Sequence, residues 1–301
     1  MTDDFCLIHD DRLGYAPKPG FRGSGAGGWT VTIDSDGFRT CRDAPGADAG
    51  RAILAVGDSY TFGEEVSDAE TWPAQLQELI GRRVLNGGVS GYGFDQIVLR
   101  AEQLADRHKP SMLIAGFIAD DVRRTEMRRQ WGRNKPWFVL GAGEPALAGV
   151  PVPQRKPRAP AWLRHRLERL LIELPAPLQQ IAGYHVRRHP AGEGIRIALH
   201  LVERLAQLER RHGCRVVLLA QYHPHVWVDR TFAGDQRRTT QRVLDRANSL
   251  GLATVDTFPR FAIEPAAAFL YVNAHLNARG NAMVASLLAA RLPELSRAPD
   301  R

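Results

Sequence analysis

Five short apolar runs, separated by helix-like patterns, constrain this chain more than any other feature. They are Ala52-Ile53-Leu54-Ala55-Val56, Arg83-Val84-Leu85, the run from Ser111 to Ile118, the run from Arg215 to Ala220, and Ala253-Thr254-Val255-Asp256-Thr257. Strands that are apolar almost without interruption are buried on both faces, as in a parallel sheet covered by helices on each side. The segments between them supply those helices. Trp72, Leu76, Leu79 and Ile80 share a helical face, with Pro73 acceptable in the first turn. Asp95 to Arg107 repeats the pattern with Ile97, Val98, Ala101, Leu104 and Ala105. Val243, Leu244, Ala247 and Leu250 do so again, as do Met283, Leu287, Leu288 and Leu292. The expected fold is a three-layer α/β/α, doubly wound parallel sheet of about five strands. It occupies residues 51–295 of 301, ample for a buried core.

Two segments lie outside this alternation. Residues 1–50 are rich in Gly, Pro and Asp and read as a short N-terminal β-appendage. Its expected strand pair is Trp29 to Ile33 with Gly37 to Thr40, around the turn Asp34-Ser35-Asp36-Gly37. Between the third and fourth strands, about 125–195, sits a basic helical insertion. Its Pro151–Pro160 stretch reads as an extended loop, and Ala161–Ile172 as an amphipathic helix with the apolar stripe Trp162, Leu163, Leu167, Leu170 and Leu171. The net charge of +7 is concentrated here: Pro151 to Arg215 holds 13 Lys and Arg against 5 Glu and no Asp. Such a block fits an acidic partner or peripheral contact with a membrane surface. The favoured readings are plainer, namely a solvated face and a helix packed over the domain. The block carries no recognised nucleic-acid motif, so no nucleic-acid partner is expected.

Cys6, Cys41 and Cys214 form no metal spacing and no disulfide framework, which suits reduced thiols. The N-terminal residues lack the apolar segment of a signal peptide, and no apolar run approaches the roughly 18–20 residues that span a bilayer. The expectation is a cytoplasmic protein.

Ligands gather at the carboxyl ends of such strands. Three ends carry unusual residues. Gly57-Asp58-Ser59 directly follows the first strand, where a tight turn can lift a serine hydroxyl above the sheet with its own N–H facing a developing oxyanion. A capping serine would look the same. Asn86-Gly87-Gly88-Val89-Ser90-Gly91-Tyr92-Gly93 follows the second strand and lets backbone approach a ligand closely, without either nucleotide-binding glycine pattern. Asn273-Ala274-His275-Leu276-Asn277 opens the last helix, where a histidine can act as general base. Two further histidines, His223 and His225, follow the fourth strand; strand geometry would point them to opposite faces and argues against a shared metal. The insertion adds His185, Arg187, Arg188 and His189. Asp256, within its strand, reads as a structural hydrogen-bonding residue.

This series resembles the GDSL-like SGNH hydrolase superfamily, over roughly 50–125 and 215–292, best from Ile53 to Gly93. The resemblance implies a flavodoxin-like sheet and an acyl hydrolase, mainly of the esterase, lipase, thioesterase or deacetylase kind, with some O-acyltransferases. It makes Ser59 the nucleophile, His275 the base, and the N–H groups of Ser59 and Gly91 the oxyanion donors, with Asp58 a buried ligand of the turn. Two positions depart from the pattern. Asp120 stands where the family places an oxyanion-hole asparagine, so its charge must be protonated, turned away, or paired with Arg123 or Arg124. Asn273 stands where an acid normally precedes the histidine; it can orient an imidazole but adds no charge. Three accounts remain open: a Ser59–His275 dyad oriented by Asn273, an acid supplied elsewhere such as Asp120, Asp121 or Asp256, or a degenerate site in a binding module. The preferred reading is an esterase acting on a small-molecule or glycan acyl ester. No metal or organic cofactor is called for.

Overall fold

A computed structural model describes residues 6–25, 27–41, 51–141, 143–154, 170–171 and 174–296. Its centre is a parallel sheet of five strands: Ile53–Val56, Val84–Asn86, Met112–Phe117, Arg215–Ala220 and Ala253–Asp256. Numbered in chain order, their spatial order is 2-1-3-4-5, which is the flavodoxin-like arrangement. Successive side chains point to opposite faces. Ile53, Ala55, Ile114, Val217 and Leu219 therefore meet the helices Trp72–Ile80 and Ala278–Leu295 on one side. Leu54, Val56, Leu113, Ala115, Val216 and Leu218 meet Phe94–His108, Gly194–His212 and Arg230–Ser249 on the other. The result is the three-layer α/β/α fold expected from the apolar runs. Most of the helical faces read from the sequence are buried; Ile80, Leu250 and Leu287 are partly buried, and Leu79 remains 56% exposed.

The N-terminal strand pairing goes beyond the expectation. Thr30–Thr32 pairs with Arg22–Ser24, and a hairpin of Leu7–Asp10 with Gly14–Pro17 precedes them. Across the anticipated turn the expected pairing does form: Ile33 bridges Arg39, the Asp34 N–H donates to the Phe38 carbonyl at 2.9 Å and the Thr40 N–H to the Thr32 carbonyl at 2.8 Å. The second half of this hairpin has further partners. Phe38 enters the main core, and Arg39 bridges Asn86 at the edge of the central sheet.

The described part of the insertion combines strand and helix: Met127–Gln130, Arg133–Asn134 and Val186–Arg187 form one small sheet, Trp137–Val139 and Ala146–Ala148 another, and Ala176–Ile181 is helical. The predicted helix at Ala161–Ile172 lies almost wholly outside the described residues. Lys135, buried, anchors this region to the helix Phe94–His108 through Asp95 at 2.5 Å. Among the described residues, no helix is long and apolar enough to cross a membrane.

Candidate active site

The strand order reverses between Ile53–Val56 and Met112–Phe117, and a crevice opens beyond their carboxyl ends. The first of these strands ends in Gly57-Asp58-Ser59. A Cβ on Gly57 would lie 2.1 Å from Thr61 Oγ1 and 2.8 Å from the Gly116 carbonyl, so only glycine lets the chain turn so close to the next strand. Asp58 is fully buried and accepts from the Tyr60 N–H at 3.0 Å, capping the single helical turn Ser59–Phe62. Ser59 is thereby held at the first helical position, facing the crevice.

His275 arrives on a tight hairpin, Tyr271–Val272 with His275–Leu276, turned by Asn273 at φ 49°. Tyr60, next to Ser59, braces that hairpin by donating from its hydroxyl to the Ala274 carbonyl at 2.6 Å. Asn277 then caps the following helix by accepting from the Gly280 N–H. The outcome is a distance of 3.0 Å between His275 Nε2 and Ser59 Oγ.

The acid partner is one that sequence reasoning missed. His275 Nδ1 lies 3.1 Å from Glu65 Oε2, while Asn273 Nδ2 donates to Glu65 Oε1 at 2.7 Å. Asn273 thus orients the carboxylate and makes no hydrogen bond to the ring; Asp121 and Asp256 are used elsewhere. Glu64 adds a second carboxylate, with Oε2 3.8 Å from His275 Nε2. Burial pushes the imidazole down, but the hydrogen bond to Glu65 and the charges of Glu64, Glu65 and Asp58 raise it above its usual 6.5. Burial likewise pushes Glu65 up, and the hydrogen bonds from His275 and Asn273 outweigh it, holding Glu65 below its ordinary range. A sequence clue existed only as the acidic pair Glu64-Glu65 after Gly63, which closes the helical turn Ser59–Phe62 at φ 84°.

Asp120 lines the crevice as a paired charge. Its carboxylate lies 2.7 Å from Arg123 Nε and 3.1 Å from Arg124 Nε. Burial raises it, yet Arg124 and Arg123 prevail and lower it to about 2. Arg124 also binds Asp121 at 2.5 Å and lies 3.6 Å from Asp58, while Asp121 accepts from the Ile118 N–H at 3.0 Å. Asp256 caps a turn by accepting from Phe258 N–H at 2.9 Å.

Gly91 occupies the left-handed region at φ 81°, and a Cβ there would sit 2.3 Å from the Trp131 ring. Trp131 comes from the insertion, at φ 45° in a two-residue turn with Gly132, and carries the Arg124 guanidinium 4.8 Å from its ring centroid. His223 and His225 do not diverge as strand geometry predicts. The strand ends at Ala220, the two residues lie in the turn after it, and both line the crevice with ring centroids 6.5 Å apart. Of the other insertion residues, His185 packs on Trp131, Arg187 pairs with Glu126, and His189 reaches the Phe138 carbonyl. The crevice encloses about 590 Å³, with Ser59, Gly91, Trp131, His223, Phe232 and His275 around it.

A serine, histidine and carboxylate so linked can move a proton from hydroxyl to imidazole while the carboxylate stabilises the cation formed. Comparisons with known proteins place the chain in a family. No curated protein matches the chain. Among solved structures, LAE5, an alpha/beta hydrolase enzyme from the metagenome of Lake Arreo, Spain, is 17% identical over 82% of this chain and 97% of its own, with a TM-score of 0.52. A lipase/acylhydrolase from Enterococcus faecalis is 13% identical over 84% and 100%, with a TM-score of 0.46. An acetylxylan esterase from Geobacillus stearothermophilus is 14% identical over 82% and 94%, also with a TM-score of 0.46. The model of the GDSL-like Lipase/Acylhydrolase family matches residues 55–283, from the strand before Ser59 to the helix after His275. This chain belongs to the GDSL-like lipase/acylhydrolase family.

Proposed function

We propose that the chain is a serine esterase that hydrolyses an acyl ester of a carbohydrate or other small hydrophilic alcohol, with residues 51–295 as its catalytic unit. The observation that carries this reading is the unbroken relay from Ser59 through His275 to Glu65, opening on the crevice. His275 Nε2 takes the Ser59 Oγ proton as Oγ bonds to the ester carbonyl carbon. The N–H groups of Ser59 and Gly91 receive the oxyanion. His275 returns the proton to the departing alcohol oxygen, leaving acyl-Ser59. Water then attacks that ester, giving its proton to His275, and the acid leaves as Oγ is reprotonated. Glu65 keeps the Nδ1 proton in place and stabilises the imidazolium. The pairing of Asp120 with two arginines offsets the charge that would otherwise oppose the oxyanion. Trp131 and Phe232 offer apolar walls, while His223, His225 and Gln236 offer hydrogen bonds to hydroxyls.

The test is labelling with a fluorophosphonate probe, read beside hydrolysis of p-nitrophenyl acetate. The wild type is expected to label at Ser59 and to turn over the ester, and Ser59→Ala to do neither. Folded wild-type protein that stays unlabelled would overturn the reading in favour of a binding role. Acceleration of acyl release by an added sugar would identify transfer to a hydroxyl as the second step.

A further inference from the structure

We infer that Arg39, from the N-terminal appendage, is a positioning residue for catalysis that fixes the turn carrying Glu64 and Glu65. The inference rests on the proposed relay and adds to it a residue with no contact to Ser59 or His275 in that relay. Arg39 is 1% exposed. Its guanidinium donates to the carbonyls of Phe62 at 2.8 Å, Gly63, Val66 at 2.6 Å and Thr30 at 2.9 Å, and to Asp68 Oδ1 at 3.0 Å. It also stacks over the Phe62 ring, 4.7 Å from the centroid. Three of those carbonyls bracket the two glutamates.

The turn needs such a clamp for two physical reasons. The helix Ser59–Phe62 is one turn long, so its final carbonyls have no partner within the helix and would be costly to bury bare. Glu65 sits at φ 69°, a left-handed conformation that crowds the Cβ of a side-chain-bearing residue against its own carbonyl. A strained residue persists only where its surroundings over-determine it. Arg39 provides that determination with one rigid, planar fork. Lysine, a point charge with three donors, cannot reach Asp68, the Thr30 carbonyl and both ends of the turn together. The appendage thus supports the catalytic unit from outside it: Arg39 reaches the turn because its own N–H donates to the Asn86 carbonyl at 2.9 Å on the sheet edge.

The experiment is a double-mutant cycle between Arg39→Lys and Glu65→Gln, followed by p-nitrophenyl acetate kinetics and fluorophosphonate labelling across pH. Arg39→Lys is expected to lower kcat about 10²-fold, the scale of a displaced catalytic group, with KM within about 2-fold. Its pH–rate midpoint should move down, as Glu65 no longer supports the imidazolium fully. In the Glu65→Gln background the same change should cost less than about 3-fold more, because both act through one carboxylate. Asp68→Asn perturbs the clamp from its partly exposed side and should show a smaller loss with the same downward midpoint. Full activity in Arg39→Lys, or losses that multiply with an unmoved midpoint, would overturn the inference and leave a role in stability alone. If Arg39→Lys fails to fold, Asp68→Asn decides by the same midpoint and the same cycle. Failure of the wild type to label would instead remove the esterase reading, and the inference with it.

Discussion

Replacing Glu65 with glutamine tests the relay most directly, because the change keeps the shape and removes only the charge. The carboxylate offers one oxygen to His275 Nδ1 at 3.1 Å and the other to Asn273 Nδ2 at 2.7 Å, so both oxygens accept. An amide cannot do both. With its oxygen toward His275, its NH2 faces the Asn273 NH2, donor against donor. With its oxygen toward Asn273, its NH2 faces Nδ1 and holds the ring in the tautomer whose Nε2 carries the proton and cannot receive one from Ser59. The lost charge is also large: unit charges about 4 Å apart interact by about 4 kcal/mol at an effective dielectric near 20. That alone corresponds to about 10³-fold in rate, and the comparable change in a serine protease costs about 10⁴-fold. Glu64, 3.8 Å from Nε2, remains as a second carboxylate, so the expected loss in kcat is about 10²–10³-fold. The pH dependence has a definite sign. Glu65 raises the imidazole above 6.5, so the reactive neutral base accumulates only at higher pH in the wild type. In Glu65→Gln the activity midpoint should move to lower pH while the plateau falls. The assay is kcat for p-nitrophenyl acetate over pH 5 to 9. Wild-type kcat with an unchanged midpoint would refute the assignment of Glu65.

Two further substitutions address the oxyanion side. Asp120→Asn removes a carboxylate that two arginines already offset, so kcat is expected to stay within about 3-fold or rise, and thermal denaturation should show a loss of about 1 kcal/mol or less; a drop beyond 10²-fold would give Asp120 a direct part in the reaction. Gly91→Ala forces a side chain into φ 81° and against the Trp131 ring, so kcat should fall about 10²–10³-fold, as for loss of one oxyanion donor, whereas unchanged kcat would exclude the Gly91 N–H from that task.

The sheet was legible in the sequence because burial on both faces leaves a continuous apolar run, and a run of that kind is local information. Ser59 and His275 were legible for a related reason: each sits at the end of such an element, in a short turn whose residues cap the next helix. The acid was not. Glu65 lies 210 positions from His275 along the chain, and its place depends on left-handed backbone that no spacing announces. Asn273 occupied the expected position, and the structure puts it against the carboxylate rather than the ring. His223 and His225 were misread because a strand's period was applied one turn past the strand's end. Arg39 was invisible as a functional residue, since within its own segment it belongs to an apparent hairpin. Sequence alone therefore determined the layered fold and singled out Ser59 and His275, all consequences of local pattern and turn chemistry. Only the tertiary structure decided which carboxylate completes the relay and how the charge at Asp120 is offset, because those follow from contacts between residues far apart in the chain, where packing and buried hydrogen bonds leave no periodic trace.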